Sequence, residues 1–246
     1  MRRVRLALLA LLLLRPALAA ELSVLSAGAV QPGLDRAIAD FEAVSGTPVR
    51  VEYATAPQLQ EKLANGATPD LLIAPVGLIN ELAAAGRLAG DRETLGRVGI
   101  GLVVRAGAPE PAIGDIAALK RAVEEADAVV FNRASTGQAM ERLFEKLGLT
   151  AAVAPKAVRV ATGAEVMQRL REGSGREIGF AAIPEIRSEP GVTLVAPLPP
   201  EAQSWTSYAA TLLPGSQAEA ATLLARLAGP TGRAALEAGG IEPPAR

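Results

Sequence analysis

The sequence predicts an α/β protein of two lobes, each a mostly parallel sheet flanked by helices, with a ligand cleft between the lobes. Three observations carry this. Short β-branched runs alternate with segments of helical apolar spacing along the chain, the pattern of strand–helix units. Three of these runs end in a hydroxyl residue with Glu or Gln three positions later. They are Val49–Ala54 into Thr55-Ala56-Pro57-Gln58, Val129–Ala134 into Ser135-Thr136-Gly137-Gln138, and Val158–Ala161 into Thr162-Gly163-Ala164-Glu165. Each reads as strand, capping box, helix. Finally, two Pro-rich breaks, Ala108-Pro109-Glu110-Pro111 and Pro197-Leu198-Pro199-Pro200, bracket a central segment. They suggest one lobe inserted into the other, joined by two crossing strands.

The front of the chain is an export signal. Met1-Arg2-Arg3-Val4-Arg5 is basic, Leu6 to Leu14 is continuously apolar, and Ala17-Leu18-Ala19 fits the small-x-small cleavage pattern. The apolar run is too short for a comfortable membrane span. A soluble periplasmic protein is therefore expected, beginning near Ala20 or Glu21. Removing 20 of 246 residues leaves 226. Residues 21–100 and 199–246 are expected to form lobe 1, and residues 101–198 lobe 2.

Composition excludes much chemistry. There is no Cys, so neither a disulfide nor a lipid-bearing cysteine is possible. There is no His, which removes the commonest general base, the commonest transition-metal ligand and every His-dependent nucleophile arrangement. No Walker loop or GxGxxG follows a strand, and no EF-hand spacing is present. No cofactor or metal is expected. Four of the 25 basic residues fall in the leader, leaving 21 against 26 acidic residues, a net charge of −5. With no basic block, nucleic acid is not an expected partner. A negatively charged protein must hold an anion by local geometry rather than by its overall field.

The elements follow in order. Leu22 to Ala27 reads as a strand broken by Gly28, and Leu34, Ile38 and Phe41 mark the helix after it. Val49 begins the next strand after Pro48, and the helix after Thr55 carries Leu59 and Leu63. Asp70 to Ala74 is a short buried strand. Ile79 and Leu82 mark a helix that stops at Gly86, a left-handed cap position. Gly99 to Arg105 is a strand, and Asp115 is the N-cap of a helix with Leu119 and Val123. Val129 to Phe131 is a strand. Met140, Leu143, Phe144 and Leu147 form the inner face of a helix stopped by Gly148. Strands follow at 177–182, 192–196 and 205–213, and two Ala-rich helices end the chain.

A helix that starts at the carboxyl end of a strand points free N–H groups into the crevice where open α/β sheets bind ligands. Gln58 and Gln138 are neutral and leave that field free. Glu165 offsets the dipole of its own helix and would repel an anion, so the Thr162 box reads as mainly structural. The candidate ligand-binding residues are Gly28, Ala29, Thr55, Ala56, Arg133, Ser135, Thr136, Gly137 and Thr162. Gly28 allows close backbone approach, and Arg133 offers a guanidinium matched to a carboxylate. Tyr53, Trp205 and Tyr208 are the aromatics with polar handles, and packing is their simplest role.

Leu22–Ala29 with its following helix, Val49–Leu63, Thr68–Pro75, Gly101–Pro109, Ser135–Leu149, Glu177–Phe180 and Val192–Leu198 together resemble bacterial periplasmic molybdate-binding proteins and their close relatives. The resemblance spans nearly the whole mature chain. It implies a type II periplasmic binding protein that closes on a small anionic ligand and delivers it to an inner-membrane ABC permease. A monomer is expected. In that family hydroxyls and backbone N–H groups hold the oxyanion. The family's first-lobe loop carries Ser where this chain has Ala29, and its second is Ser-rich where this chain has Thr55-Ala56-Pro57.

Two functions are carried forward. The first is a substrate-binding protein for a molybdate- or tungstate-like oxyanion or a small carboxylate, with no catalytic residue. The alternative is isomerisation of a small tricarboxylate, because aconitate isomerase resembles the same family. The missing Ser donors together with Arg133 suit a carboxylate better than an inorganic oxyanion. Proton transfer needs an acid–base group near the substrate carbon. In a chain without His, Glu185 beside Pro184 is the candidate.

Overall fold

The computed structural model describes residues 21–90 and 92–244; the export signal predicted for residues 1–20 lies outside them. The first sheet has the order β2-β1-β3-β10-β4 and the second the order β7-β6-β8-β5-β9. The first is built from β1 (Leu22–Ala27), β2 (Val49–Ala54), β3 (Leu71–Pro75), β4 (Arg92–Val98) and β10 (Thr206–Leu212). The second is built from β5 (Ile100–Arg105), β6 (Ala128–Asn132), β7 (Ala157–Val160), β8 (Glu177–Ala182) and β9 (Val192–Pro197). In each sheet three strands run parallel, β2-β1-β3 and β7-β6-β8. Antiparallel strands then complete the sheet, β10 and β4 in one and β5 and β9 in the other.

Helices follow the strands. In the first lobe a 3₁₀ turn at Gly28–Val30 runs into α1 (Gln31–Ser45), and α2 (Ala56–Ala64) and α3 (Val76–Ala84) follow β2 and β3. The second lobe carries α4 (Ile116–Glu125), α5 (Ser135–Lys146), α6 (Thr150–Val153), α7 (Gly163–Glu172) and α8 (Ile183–Ser188). The chain then returns, and α9 (Ala218–Ala228) and α10 (Pro230–Ala238) pack on the first lobe.

Each lobe has its own core, as the length of the chain allows. Leu22, Leu34, Leu59, Leu71, Ile73 and Leu223 are fully buried in the first. In the second, Phe144 meets Phe131 and Phe180 edge to face, each at 5.8 Å between ring centres. A second cluster, with Val130, Val166 and Leu170, fills the opposite face of that sheet under α7. Gly86 adopts φ +66° after α3 and Gly148 φ +70° after α5, the left-handed stops that their sequence positions require. The Asp115 carboxylate accepts from the Ala118 N–H at 2.7 Å, capping α4.

Two features differ from expectation. The chain crosses between sheets at Gly99, between β4 and β5, so the Pro109-Glu110-Pro111 break lies inside the second lobe and marks no crossing. Strand β4, with the sequence RETLGRV, escapes sequence reading because it is a polar strand at the sheet edge with a glycine inside it. The return crossing runs from Pro197 to Thr206. Gln203 ties the two crossings together: its Oε1 accepts from the Ile100 N–H at 2.8 Å, and its Nε2 donates to the Ile100 carbonyl at 3.0 Å.

Candidate functional site

Six helix or 3₁₀ segments begin directly after the carboxyl ends of parallel strands: at Gly28, Ala56 and Val76 in one lobe, and at Ser135, Gly163 and Ile183 in the other. Five of these starts line one cavity of about 200 Å³: those at Gly28, Ala56, Ser135 and Gly163 by their first residue, and that at Ile183 through Glu185. Gly28, Ala29, Thr55, Ala56, Ser135, Thr136 and Thr162 of the sequence candidates all line it. Arg133 is exposed and not among its lining residues. Gly137 is buried behind the wall, with its N–H donated to Asn132 Oδ1 at 3.1 Å.

The three expected capping boxes turn out unequal. At α2 the Thr55–Gln58 box is present. The Thr55 N–H and hydroxyl both donate to Gln58 Oε1 at 2.9 Å, so the Thr55 side chain is engaged in the cap. Pro57 has no N–H, which leaves Ala56 as the free donor at this helix start. At α7 the Glu165 N–H donates to Thr162 Oγ1 at 3.1 Å, and Glu165 Oε2 accepts from Ala161 at 3.0 Å.

The middle box does not form. Helix α5 starts at Ser135 with Ala134 at the N-cap position and no side-chain bond from it. The cap comes instead from Asn132, the buried last residue of β6, whose Oδ1 accepts from the Ala134 and Gly137 N–H groups at 3.0 and 3.1 Å. Asn at a strand end folds back on the following backbone, ahead of the Ser three residues further on. The consequence is functional. The hydroxyls of Ser135 and Thr136 are left out of the cap, and their N–H groups, at the first two helical positions, have no intrahelical acceptor.

Sequence reasoning missed Asn132 and Gly163 as cavity residues and treated Tyr53 and Tyr208 as packing. All four line the cavity. Tyr53 donates its hydroxyl to Asp35 on α1. Burial first, then that bond and the Asp35 charge, hold the phenol far above its ordinary range. Tyr208 is held high as well, by burial and by the charge of Glu185 beside it. The rest of the wall is largely apolar: Ala27, Ala29, Ala54, Ala56, Pro75, Ala134 and Ala164.

Glu185 is the third titratable group of the cavity, and no Lys, Arg or Asp is among the lining residues. It sits at the third position of α8, where its carboxyl accepts from the Ala182 N–H. It is partly open to the cavity but shielded from bulk water. Burial pushes the carboxyl up to about 7, against the opposing pull of the Ala182 bond. Its oxygens reach both lobes. A β-carbon at Gly28 would lie 3.5 Å from Oε1, and one at Gly163 would lie 2.6 Å from Oε1 and from Cδ. Among the described residues no group of three or more acidic side chains could hold a metal ion.

Residues 22–242 match the family described as bacterial extracellular solute-binding protein. The chain is 31% identical over 243 residues to an aconitate isomerase from a Pseudomonas species, covering 93% of this chain and 91% of the relative. The periplasmic molybdate-binding protein of Azotobacter vinelandii has a similar fold, with a TM-score of 0.74, 18% identity, and coverage of 91% of this chain and 100% of that one. So has PEB3 of Campylobacter jejuni with L-phospholactate bound, with a TM-score of 0.72, 12% identity, and coverage of 90% and 99%. On this match along nearly its whole described length, the chain belongs to the bacterial extracellular solute-binding protein family.

Proposed function

We propose that this protein is exported to the periplasm and captures a small polycarboxylate between its lobes. The observation that carries this reading is the cavity wall: N–H groups and two free hydroxyls at helix starts, no cationic side chain, an apolar lining, and one carboxyl. A tetrahedral oxyanion has no carbon to set against seven apolar residues, and it needs donors around its whole surface. A di- or tricarboxylate divides its surface as the cavity does, with charged ends for the helix starts and a carbon skeleton for the alanines and tyrosines. The volume of about 200 Å³ lies below the range of roughly 300–1,000 Å³ that suits drug-sized ligands, which restricts the candidate to a few carbons.

The fold likeness to periplasmic binding proteins supports delivery of the ligand to an ABC permease as the purpose of capture. A thermal-shift screen of citrate, cis- and trans-aconitate, tricarballylate, molybdate, tungstate and sulfate tests the reading. The tricarboxylates are expected to raise the melting temperature. A shift with the inorganic oxyanions alone would overturn the carboxylate assignment.

A second reading has its own support. The relative at 31% identity is named for isomerisation of an unsaturated tricarboxylate, and the cavity of this chain holds one carboxyl whose ordinary ionisation is displaced toward neutrality. Capture would then be the first step of a proton-transfer reaction rather than of transport. An ultraviolet assay of cis- and trans-aconitate separates the two, since capture alone leaves the spectrum constant.

A further inference from the structure

We infer that Glu185 is the acid–base residue of a 1,3-proton shift on a bound unsaturated tricarboxylate. The inference rests on the isomerisation reading above and adds to it the group that moves the proton. Three observations converge on it.

The first is position. Glu185 belongs to α8 of the second lobe, yet its carboxyl lies between Gly163 at the start of α7 and Gly28 at the start of the 3₁₀ turn of the first lobe. A ligand gripped by helix starts of both lobes therefore has this carboxyl within the gap that it spans.

The second is elimination within the cavity. The other titratable side chains that line it are Tyr53 and Tyr208. Both phenols are held protonated far above neutral pH by burial, and Tyr53 already donates to Asp35. Neither can take a proton from carbon near pH 7. No His exists anywhere in the chain.

The third is the cost of the placement. Ionised, Glu185 would repel an anionic ligand in the same small space. A site that served retention of an anion alone gains nothing from an acid there. The bond from Ala182 explains one oxygen of the carboxyl as a helix cap. It does not explain why a glycine stands at 163 and clears the space into which that carboxyl projects.

The step balances without any co-reactant. A Glu185 carboxylate oxygen takes a proton from the methylene carbon next to a substrate carboxylate. The C–H electron pair becomes the new carbon–carbon double bond, and the electrons of the old double bond move out to the far carbon and into its carboxylate. The Glu185 carboxyl then returns a proton to that far carbon. The double bond has moved one position, and Glu185 is again ionised. During the step, donors at the helix starts stabilise the charge that spreads onto the terminal carboxylate.

The experiment measures aconitate interconversion and tricarboxylate binding side by side in the full-length mature protein, for the unaltered chain, Glu185→Gln and Glu185→Asp. Gln keeps an oxygen to accept from Ala182 and so keeps the cap. The expected result is a rate at least about 100-fold lower in Glu185→Gln, the usual range for loss of a general acid–base group, with binding retained and a melting temperature at neutral pH no lower than that of the unaltered chain. Glu185→Asp, which draws the carboxyl back by one methylene, is expected to fall between the two, and it decides the matter should the Gln variant not fold. Interconversion by Glu185→Gln at the unaltered rate, or by Glu185→Asp at the unaltered rate, overturns the inference. Binding without interconversion in the unaltered chain overturns it too, and leaves the capture reading standing. No tricarboxylate binding at all overturns both.

Discussion

The carboxyl of Glu185 rests against the α-carbon of Gly163, so that a β-carbon there would stand 2.6 Å from Glu185 Cδ. Two helices of the second lobe thus share one piece of space at the floor of the cavity, and Gly163 keeps it open. The atoms in the way are the far end of a flexible side chain, and the Gly163 backbone is not in the left-handed region. Gly163→Ala is therefore expected to leave the fold intact, with a melting temperature within about 3 °C of the original, while pushing the carboxyl out of place. Tricarboxylate affinity or turnover is expected to drop at least about tenfold, measured by calorimetry and by the ultraviolet assay. A variant with unchanged function would mean that the position of Glu185 is irrelevant.

Asn132 is the cap on which α5 depends. Asn132→Ala strands the Ala134 and Gly137 N–H groups, both of them buried. The expected loss of stability is about 1–3 kcal/mol, read from urea unfolding, with weaker ligand binding because the Ser135 and Thr136 donors lose their fixed positions. Asn132→Asp keeps the acceptor and is expected to hold stability better, yet to bind an anion less well because it adds a negative charge to the cavity wall.

Two carboxyls give the pH dependence of stability opposite signs. Glu185 is raised from 4.5 to about 7. The folded state holds its proton more tightly than the unfolded chain does, so its contribution is complete below about 4.5 and is lost as pH rises toward 7. The loss amounts to at most about 3–4 kcal/mol, and less for the access the residue keeps to the cavity. Asp70 goes the other way. Burial works to raise it, but N–H groups of Ser23 and Gln217, with the Ser23 hydroxyl and the Gln217 side chain, hold it below its ordinary 3.8. Its contribution is present above that value and is lost as pH falls through its lowered range. Melting temperatures measured from about pH 3 to 8 are expected to show Glu185→Gln flattening the decline between 4.5 and 7, and Asp70→Asn flattening the acid limb. Parallel curves for Glu185→Gln and the unaltered chain would contradict the raised carboxyl.

Trp205, the single tryptophan, lies on the return crossing, with the Arg97 guanidinium of β4 over its ring at 4.1 Å and Gly99 of the first crossing against its edge. Capture by closure of the lobes, as proposed, would bend these two crossings. Ligand binding is therefore expected to change tryptophan emission in a saturable way, with the same midpoint as calorimetry. An emission that stays constant while heat is released would mean that the lobes do not move on binding.

Much of this was legible in the sequence because each strand–helix unit announces itself locally: β-branched run, small or hydroxyl residue, helical spacing. The helix starts at Gly28, Ala56, Ser135 and Gly163 follow from that pattern alone. What escaped has two origins. Asn132 caps α5 through bonds to residues only two and five positions on, but the Ser135–Gln138 spacing drew the reading to the wrong residue. Gly163 looks like an ordinary first helical residue until Glu185, 22 positions later, is folded against it. Strand β4 before Gly99 is hidden because it is polar, and the conspicuous prolines ten residues on merely stiffen a loop.

Calorimetric titration of trans-aconitate into the unaltered protein and into Ser135→Ala/Thr136→Ala, with molybdate as the comparison ligand, tests the central claim most directly. The account predicts saturable binding of the tricarboxylate to the unaltered chain and no heat with molybdate. It predicts affinity weaker by roughly 1–3 kcal/mol in the double variant, and an unchanged melting temperature in the absence of ligand. Equal affinity in the two proteins, or heat with molybdate alone, would contradict it.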